Sequence, residues 1–261
     1  MTKALRPIPI LTYHQIGDAP ARGTPMRSLY VSEKGFKRQM WILKRLGYTG
    51  LSLSELQPYL QGKKSGRVVG ITFDDGYLNN LTHAAPILKS FDFSATCYVV
   101  SDLIGSTNSW DKEIGVPSAP LMSLEHLKEW LNHGQEIGSH SLTHSSLLKV
   151  PHEQAKFEIV QSKTQLEGML GVAVNQFCYP YGDYAKAHLE WVRLAGYWAA
   201  TTTKRGRVFG QISNEQKMNP QLCLELSIDF PYELVRVPVV RSTTWAQFLL
   251  KIATSYEDQH S

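Results

Sequence analysis

The sequence predicts an α/β protein in which repeated strand–helix units close, or nearly close, into one (β/α) barrel spanning residues 1–261. Three observations carry that prediction. Short apolar, β-branched or aromatic runs alternate with segments whose apolar residues recur at helical spacing, the pattern of a parallel sheet covered by helices. About seven or eight such units fit a chain of a length at which α/β barrels occur as a single domain. The polar residues that look out of place fall at the C-terminal ends of predicted strands, where a barrel carries its chemistry.

Ile8–His14 reads as the first strand. Ser32–Leu46 follows as a helix, with Phe36, Met40, Leu43 and Leu46 on one face, Ser32 as its cap and Gly47 as its stop. Tyr48–Leu53 is a strand and Ser54–Leu60 a short helix begun by Ser54. Val68–Phe73 is a strand, and Leu78–Ser90 a helix that Pro86 should kink. Phe93–Val100 is the next strand, and residues 101–122 form an irregular loop of a length that is usually functional. Leu124–His133 is a helix capped by Ser123 and stopped by Gly134, Glu136–His140 a strand, and His152–Leu170 a long helix. Val174–Tyr179, Ala185–Ala195 and Tyr197–Thr203 continue as strand, helix and strand. Residues 204–233 read as a second irregular insertion, and Leu234–Val240 and Thr244–Thr254 as the last strand and helix.

Hydrophobic residues at 43% and charged residues at 19% are the balance of a soluble globular chain rather than a disordered or fibrous one. Lys and Arg number 27 against 23 Asp and Glu, for a net charge of +4. The basic residues are scattered, with short pairs such as Lys63-Lys64 and Lys204-Arg205, so no stripe tracks a nucleic acid backbone. Cys97, Cys178 and Cys223 form no CxxC, and Cys97 and Cys178 sit in apolar runs as expected of buried thiols. The apolar run after Arg6 ends at His14, too short for a secretory signal, and no stretch approaches the ~18 apolar residues of a membrane span. A cytoplasmic protein is the expectation, with the membrane periphery or another export route as the alternative. Oligomeric state is not legible.

Chemistry is concentrated in three strand-end clusters. Thr72-Phe73-Asp74-Asp75-Gly76 places two adjacent carboxylates where a strand becomes a loop. Alone, such a pair is as well read as an Asx-type turn capping the next helix. Ser139-His140-Ser141-Leu142-Thr143-His144 sets two histidines four residues apart, able to converge on one ion, although HxxxH is weak by itself. Together the two clusters say more, because two His and one carboxylate form a facial set that leaves coordination positions open for catalysis. Cys178-Tyr179-Pro180-Tyr181-Gly182 is either a plain tight turn or one that offers a backbone N–H and aromatic walls to a ligand.

These clusters resemble the polysaccharide deacetylase family of carbohydrate esterases, the NodB-homology domain, whose motifs T-F-D-D-G, H-[ST]-x-x-H and R-x-P-Y stand here at Thr72–Gly76, His140–His144 and Cys178–Tyr181. Ile10–His14 and Asn108-Ser109-Trp110-Asp111 extend the likeness, to a bacterial branch, over roughly the whole chain. The resemblance implies a distorted (β/α) barrel of about seven parallel strands. It implies that Asp75, His140 and His144 bind a divalent ion, most often Zn2+, and that Asp74 is the general base acting on the water held there. It also implies that the Tyr181 backbone N–H and the ion stabilise the oxyanion as an N-acetyl group leaves an amino sugar, glycan or lipid-linked saccharide.

Two departures stand out. The family's Arg in R-x-P-Y, which braces the base, is Cys178 here, and Arg236 or Arg241 near the last strand is the candidate replacement. The usual late general-acid His is missing from the last strand, and His260 lies in the C-terminal tail. His14, ending the first strand, is the candidate substitute acid or substrate contact, set against a merely hydrogen-bonded strand-end histidine. Trp110, Asp111 and Pro180 are expected along the sugar groove, with Trp110 alternatively anchoring a lid. His83, His126, His133, His152 and His188 fall on predicted helices and are expected at the surface. Two other readings remain beside the hydrolase: a metal- and glycan-binding homologue with little turnover, and a hydrolase of a non-sugar linear amide.

Overall fold

The computed structural model describes residues 6–209 and 231–258. Its strands are β1 (Ile10–Tyr13), β2 (Gln15–Ile16), β3 (Tyr30–Val31), β4 (Thr49–Leu51), β5 (Val68–Phe73), β6 (Thr96–Val99), β7 (Glu136–Ser139), β8 (Gln176–Cys178), β9 (Ala199–Arg205) and β10 (Leu234–Pro238). Its α-helices are α1 (Glu33–Arg45), α2 (Leu53–Leu60), α3 (Ala85–Ser90), α4 (Leu124–Asn132), α5 (His152–Leu170), α6 (Lys186–Leu194) and α7 (Trp245–Ala253).

Seven parallel strands close the barrel in the order β1-β10-β9-β8-β7-β6-β5, with β5 returning to β1 along Ile10↔Gly70 to Tyr13↔Phe73. The strand β4 is an eighth member that does not interrupt the ring. It pairs with the lower half of β5 (Thr49↔Val68, Leu51↔Gly70), whereas β6 pairs with the upper half (Thr72↔Thr96, Phe73↔Cys97). The barrel is thus distorted at one seam, which β4 fills. The short β2–β3 pair lies apart from it and has no counterpart in the sequence prediction.

Side chains alternate along each strand, so every strand serves two layers. Leu11, Tyr13, Ile71, Phe73, Phe177 and Val237 join the cluster under the helices, while Ile10, Val68, Tyr98, Cys178 and Leu234 fill the barrel. Room for Tyr98 comes from Gly138 on the neighbouring strand, where an added Cβ would stand 2.5 Å from the Tyr98 ring. Fully burying an aromatic or aliphatic side chain of this size contributes roughly 1.5–3 kcal/mol, so the helix-facing layer is the main source of stability.

Local signals placed most helices. Ser32 accepts from the Gly35 N–H, and Ser123 and His126 form a reciprocal capping box at α4. Phe36, Met40 and Leu43 are buried, while Leu46 caps α1 and is exposed. Other expectations are corrected. The cap of α2 is Ser52, and Ser54 instead bonds Glu136 at the foot of β7. The expected helix over Leu78–Ser90 does form, and its irregularity is a π-helical turn over Asn80–Ala84 that leads into Pro86 in the first turn of α3. His188 is buried, accepting from the Ala185 N–H at the start of α6, so it is not a surface residue. Cys97 and Cys178 are buried free thiols, as expected. Residues 204 and 205 belong to β9; most of the expected insertion, with Cys223, and His260 lie outside the described residues. Among the described residues no helix is long and apolar enough to cross a membrane.

Candidate active site

The three sequence clusters meet at the C-terminal rim of the barrel, and the two adjacent carboxylates diverge there. The backbone N–H of Asp74 continues the β1–β5 ladder by donating to Tyr13 O at 2.9 Å. Its side chain points inward and takes two parallel bonds from Arg236, Nη1 to Oδ1 at 2.7 Å and Nη2 to Oδ2 at 2.8 Å. Asp75 follows in the left-handed region, at φ 77°, which turns its side chain away from its neighbour's. Its Oδ1 stands 3.4 Å from His140 Nε2 and 3.4 Å from His144 Nε2.

Arg236, not Arg241, is the brace. The Arg241 backbone N–H instead donates to Ser28 O, and its side chain is exposed. Arg236 shares the inward face of β10 with Leu234, and each of its guanidinium N–H groups has an acceptor. Nε donates to Thr202 O at 2.9 Å, Nη1 also to Thr72 Oγ1 at 3.2 Å, and Nη2 also to Cys178 Sγ at 3.3 Å. A β-bulge supplies the first of these. Pairing jumps from Leu234↔Thr201 to Arg236↔Arg205, so β9 carries extra residues at Thr202 and its carbonyl turns inward. Cys178 leaves the space that the guanidinium occupies.

Electrostatics follow from this geometry. Burial opposes the charge of Asp74, yet the Arg236 guanidinium overcomes it and holds the carboxyl below the usual range. At Asp75 burial is likewise overcome, by His140 and His144, and its carboxyl lies well below the ordinary value. Burial favours neutral imidazoles; Cys178 and Asp75 reverse this at His140 and raise it, whereas at His144 burial prevails and lowers it.

The two histidines are held differently. His140 directs Nδ1 to Cys178 O at 2.8 Å, and since a carbonyl only accepts, Nδ1 carries the proton and Nε2 is left for an ion. His144 lies at φ 63° in a loop that Glu158 of α5 clasps, accepting from the N–H groups of Leu142 and Thr143 and from Thr143 Oγ1. Its ring stacks on Trp110, centroids 4.4 Å apart, and meets Tyr181 edge-to-face at 4.6 Å. Tyr181, at φ 59°, donates its phenol O–H to Asp111 Oδ1 at 3.1 Å, and burial, then Asp111, push that phenol's value up. Pro180, which precedes Tyr181 in the turn, is buried. His14 is a quarter exposed, with Nε2 3.9 Å from Asp74 Oδ2.

The Asp75–His140–His144 donors suit a divalent ion. Donors 2.0–2.2 Å from one tetrahedral centre stand about 3.3–3.6 Å apart, and the two contacts to Asp75 Oδ1 fall in that interval. A second triad among the described residues, Asp74, His140 and Cys178, also brings its donor atoms within 4.8 Å of one another, but two of its members face the fixed charge of Arg236, which disfavours a cation. Sequence reasoning missed Glu158 and the bulge at Thr202. An acid on the buried face of α5, beside Ala155, Ile159 and Ser162, was the available signal for the first.

Fold and site together define a (β/α) barrel whose C-terminal rim gathers two Asp and two His. The chain belongs to the polysaccharide deacetylase family, whose model matches residues 61–200. It is 32% identical over 201 residues to the YxkH protein of Bacillus subtilis, covering 76% of this chain and 65% of that one. It is 28% identical over 167 residues to the poly-beta-1,6-N-acetyl-D-glucosamine N-deacetylase of Staphylococcus epidermidis, covering 60% and 55%. The chain thus spans between about half and two thirds of these relatives. Among solved structures, the Streptococcus pyogenes deacetylase PplD in complex with acetate superposes with a TM-score of 0.76 at 26% identity, covering 95% of this chain and 98% of that one.

Proposed function

We propose that this barrel hydrolyses the N-acetyl amide of an amino sugar within a saccharide, with Asp74 as general base and Asp75, His140 and His144 as ligands of a divalent cation. The observation that carries the reading is the divergence of the adjacent carboxylates, one held by Arg236 and the other facing two imidazoles. A divalent cation, with Zn2+ the first candidate, supplies Lewis acidity toward the acetyl carbonyl and lowers the pKa of a water there.

The remaining chemistry belongs to the chain. Asp74, kept ionised and aimed by Arg236, takes the proton of the attacking water. The Tyr181 N–H donates to the acetyl oxygen, which becomes anionic as its carbon becomes tetrahedral. His14, open to solvent and beside Asp74, delivers a proton to the departing amine, and acetate leaves. Trp110, Tyr181 and Asp111 line the sugar groove over a floor that includes Pro180. Full bonding at Arg236 removes one of the two departures that favoured a mere binder. The names of the Staphylococcus epidermidis and Escherichia coli relatives make poly-β-1,6-N-acetylglucosamine oligomers the first substrate to test.

The test is Asp74→Asn on protein loaded with Zn2+, reading acetate release and bound metal together. Loss of a general base should lower turnover by about 10²–10⁴-fold with the metal retained. Turnover within a few-fold of wild type would remove Asp74 from the role of base.

A further inference from the structure

We infer that Trp110 is a positioning residue for His144, doing by ring stacking what a hydrogen bond does for His140, so that metal affinity depends on this loop tryptophan. The inference rests on the reading of Asp75, His140 and His144 as a metal site. A ligating histidine ordinarily donates its second ring nitrogen to a carbonyl or carboxylate, which fixes both tautomer and ring direction. His140 does so through Nδ1 to Cys178 O. His144 does not: its Nδ1 is buried and has no hydrogen-bond partner among the described residues.

Three rings enclose His144 instead. Trp110 lies against one face at 4.4 Å, with 21° between the planes. Tyr181 and His140 meet it edge-to-face at 4.6 Å and 4.9 Å, inclined by 74° and 78°. Turning the imidazole about its Cβ–Cγ bond by a quarter turn drives its edge into the indole, so the stack confines the ring to a plane that keeps Nε2 toward Asp75. An imidazole that coordinates a cation gains positive character, which the electron-rich indole face favours. Trp110 is itself anchored, packing with Leu103 on the small cluster of Tyr77, Ala119 and Leu121. The loop of residues 101–122 thereby contributes to the metal site without contributing a ligand.

The experiment is titration of metal-stripped protein with Zn2+ against a chromophoric chelator. It compares wild type with Trp110→Phe, Trp110→Leu and Trp110→Ala, with the thermal midpoint of each stripped variant as the control for folding. Loss of the partner that orients a metal ligand typically costs 10–100-fold in affinity. Trp110→Leu, which keeps apolar packing but has no π face, should therefore weaken Zn2+ binding about 10-fold or more. Trp110→Phe should restore most of that loss. Tryptophan emission should also change on Zn2+ addition in wild type, and change less in Trp110→Phe although the metal still binds. Equal Zn2+ affinity in wild type and Trp110→Leu overturns the inference and leaves the metal site standing. A wild-type chain that takes up no Zn2+ removes the metal site and the inference with it.

Discussion

The strand-borne and loop-borne halves of the rim hold their side chains by different forces. Asp74, Arg236, Cys178 and His140 belong to strands or their immediate ends, on inward positions set by register, and they are fixed by directional bonds: five from Arg236, one from His140. Asp75, Ser141, His144 and Tyr181 stand in turns. These four are among six non-glycine residues with positive φ in the described chain, each costing on the order of 1–3 kcal/mol. What keeps them in place is the Glu158 clasp, hydrogen bonds local to the turns such as His144 N–H to Ser141 Oγ, and a set of ring contacts. The half that keeps a carboxylate charged in a dry interior is over-determined by hydrogen bonds. The half that carries Asp75, His144 and Tyr181 adopts strained positive-φ turns and is held in large part by ring packing.

The largest effect should come from breaking the strand half. Arg236→Met removes one partner of a buried pair, a change that typically costs 3–5 kcal/mol, and denaturant unfolding of the variant should show it. The pH dependence should then reverse at Asp74. In wild type its carboxyl is held low, so its contribution to stability is present above the unfolded value of about 3.9 and is lost as pH falls through the lower folded value. Without Arg236, burial is opposed by the weaker pull of His14 and His140 and raises the folded value, so protonation on acidification relieves the variant. The stability gap between wild type and Arg236→Met should therefore narrow between neutral pH and about pH 4. A gap independent of pH would mean that the pair does not govern Asp74.

Glu158 tests the loop half through its buried carboxylate clasp. Replacing it with Ala strips the acceptor from two backbone N–H groups and the Thr143 hydroxyl. Hydrogen bonds to a charged group contribute about 1.5–3 kcal/mol, so unfolding should record a loss of that order. Zn2+ affinity should fall with it, because the clasp lies between the two histidines in sequence, while the Asp74–Arg236 pair and its acid response stay as in wild type. Equal disturbance of both halves would show that they are one cooperative unit.

The two halves also differ in how far the sequence betrays them. Strand positions follow a period of two, so Asp74 and His140 could be placed at a rim from Val68–Phe73 and Glu136–Ser139 alone. Arg236 was visible as a charge in an apolar strand, but its choice over Arg241 required β10 to lie beside β1, and the bulge that aims Thr202 at it leaves no compositional mark. The split between Asp74 and Asp75 depends on one backbone angle, which a non-glycine residue does not advertise. Trp110 lies 34 positions before His144 in the chain, and nothing in loop 101–122 states which ring it will cover. The fold was legible because periodicity is local. The loop half was legible only as residue types, because its contacts are long-range and set by turns.

The smallest change sharpens the comparison most finely. Tyr181→Phe deletes the phenol O–H that bonds Asp111 and leaves the ring standing against His144. A neutral intramolecular hydrogen bond contributes about 0.5–1.5 kcal/mol and one to a charged group somewhat more, but Tyr181 is 43% exposed, and solvent replaces much of the loss. If ring contact rather than hydrogen bonding fixes the loop half, stability should fall by less than about 1 kcal/mol and Zn2+ affinity should stay within about threefold of wild type. Tyr181→Ala, which removes the ring as well, should weaken Zn2+ binding further. Should the two variants lose affinity equally, the bond to Asp111 is what holds the turn, and the loop half is built like the strand half after all.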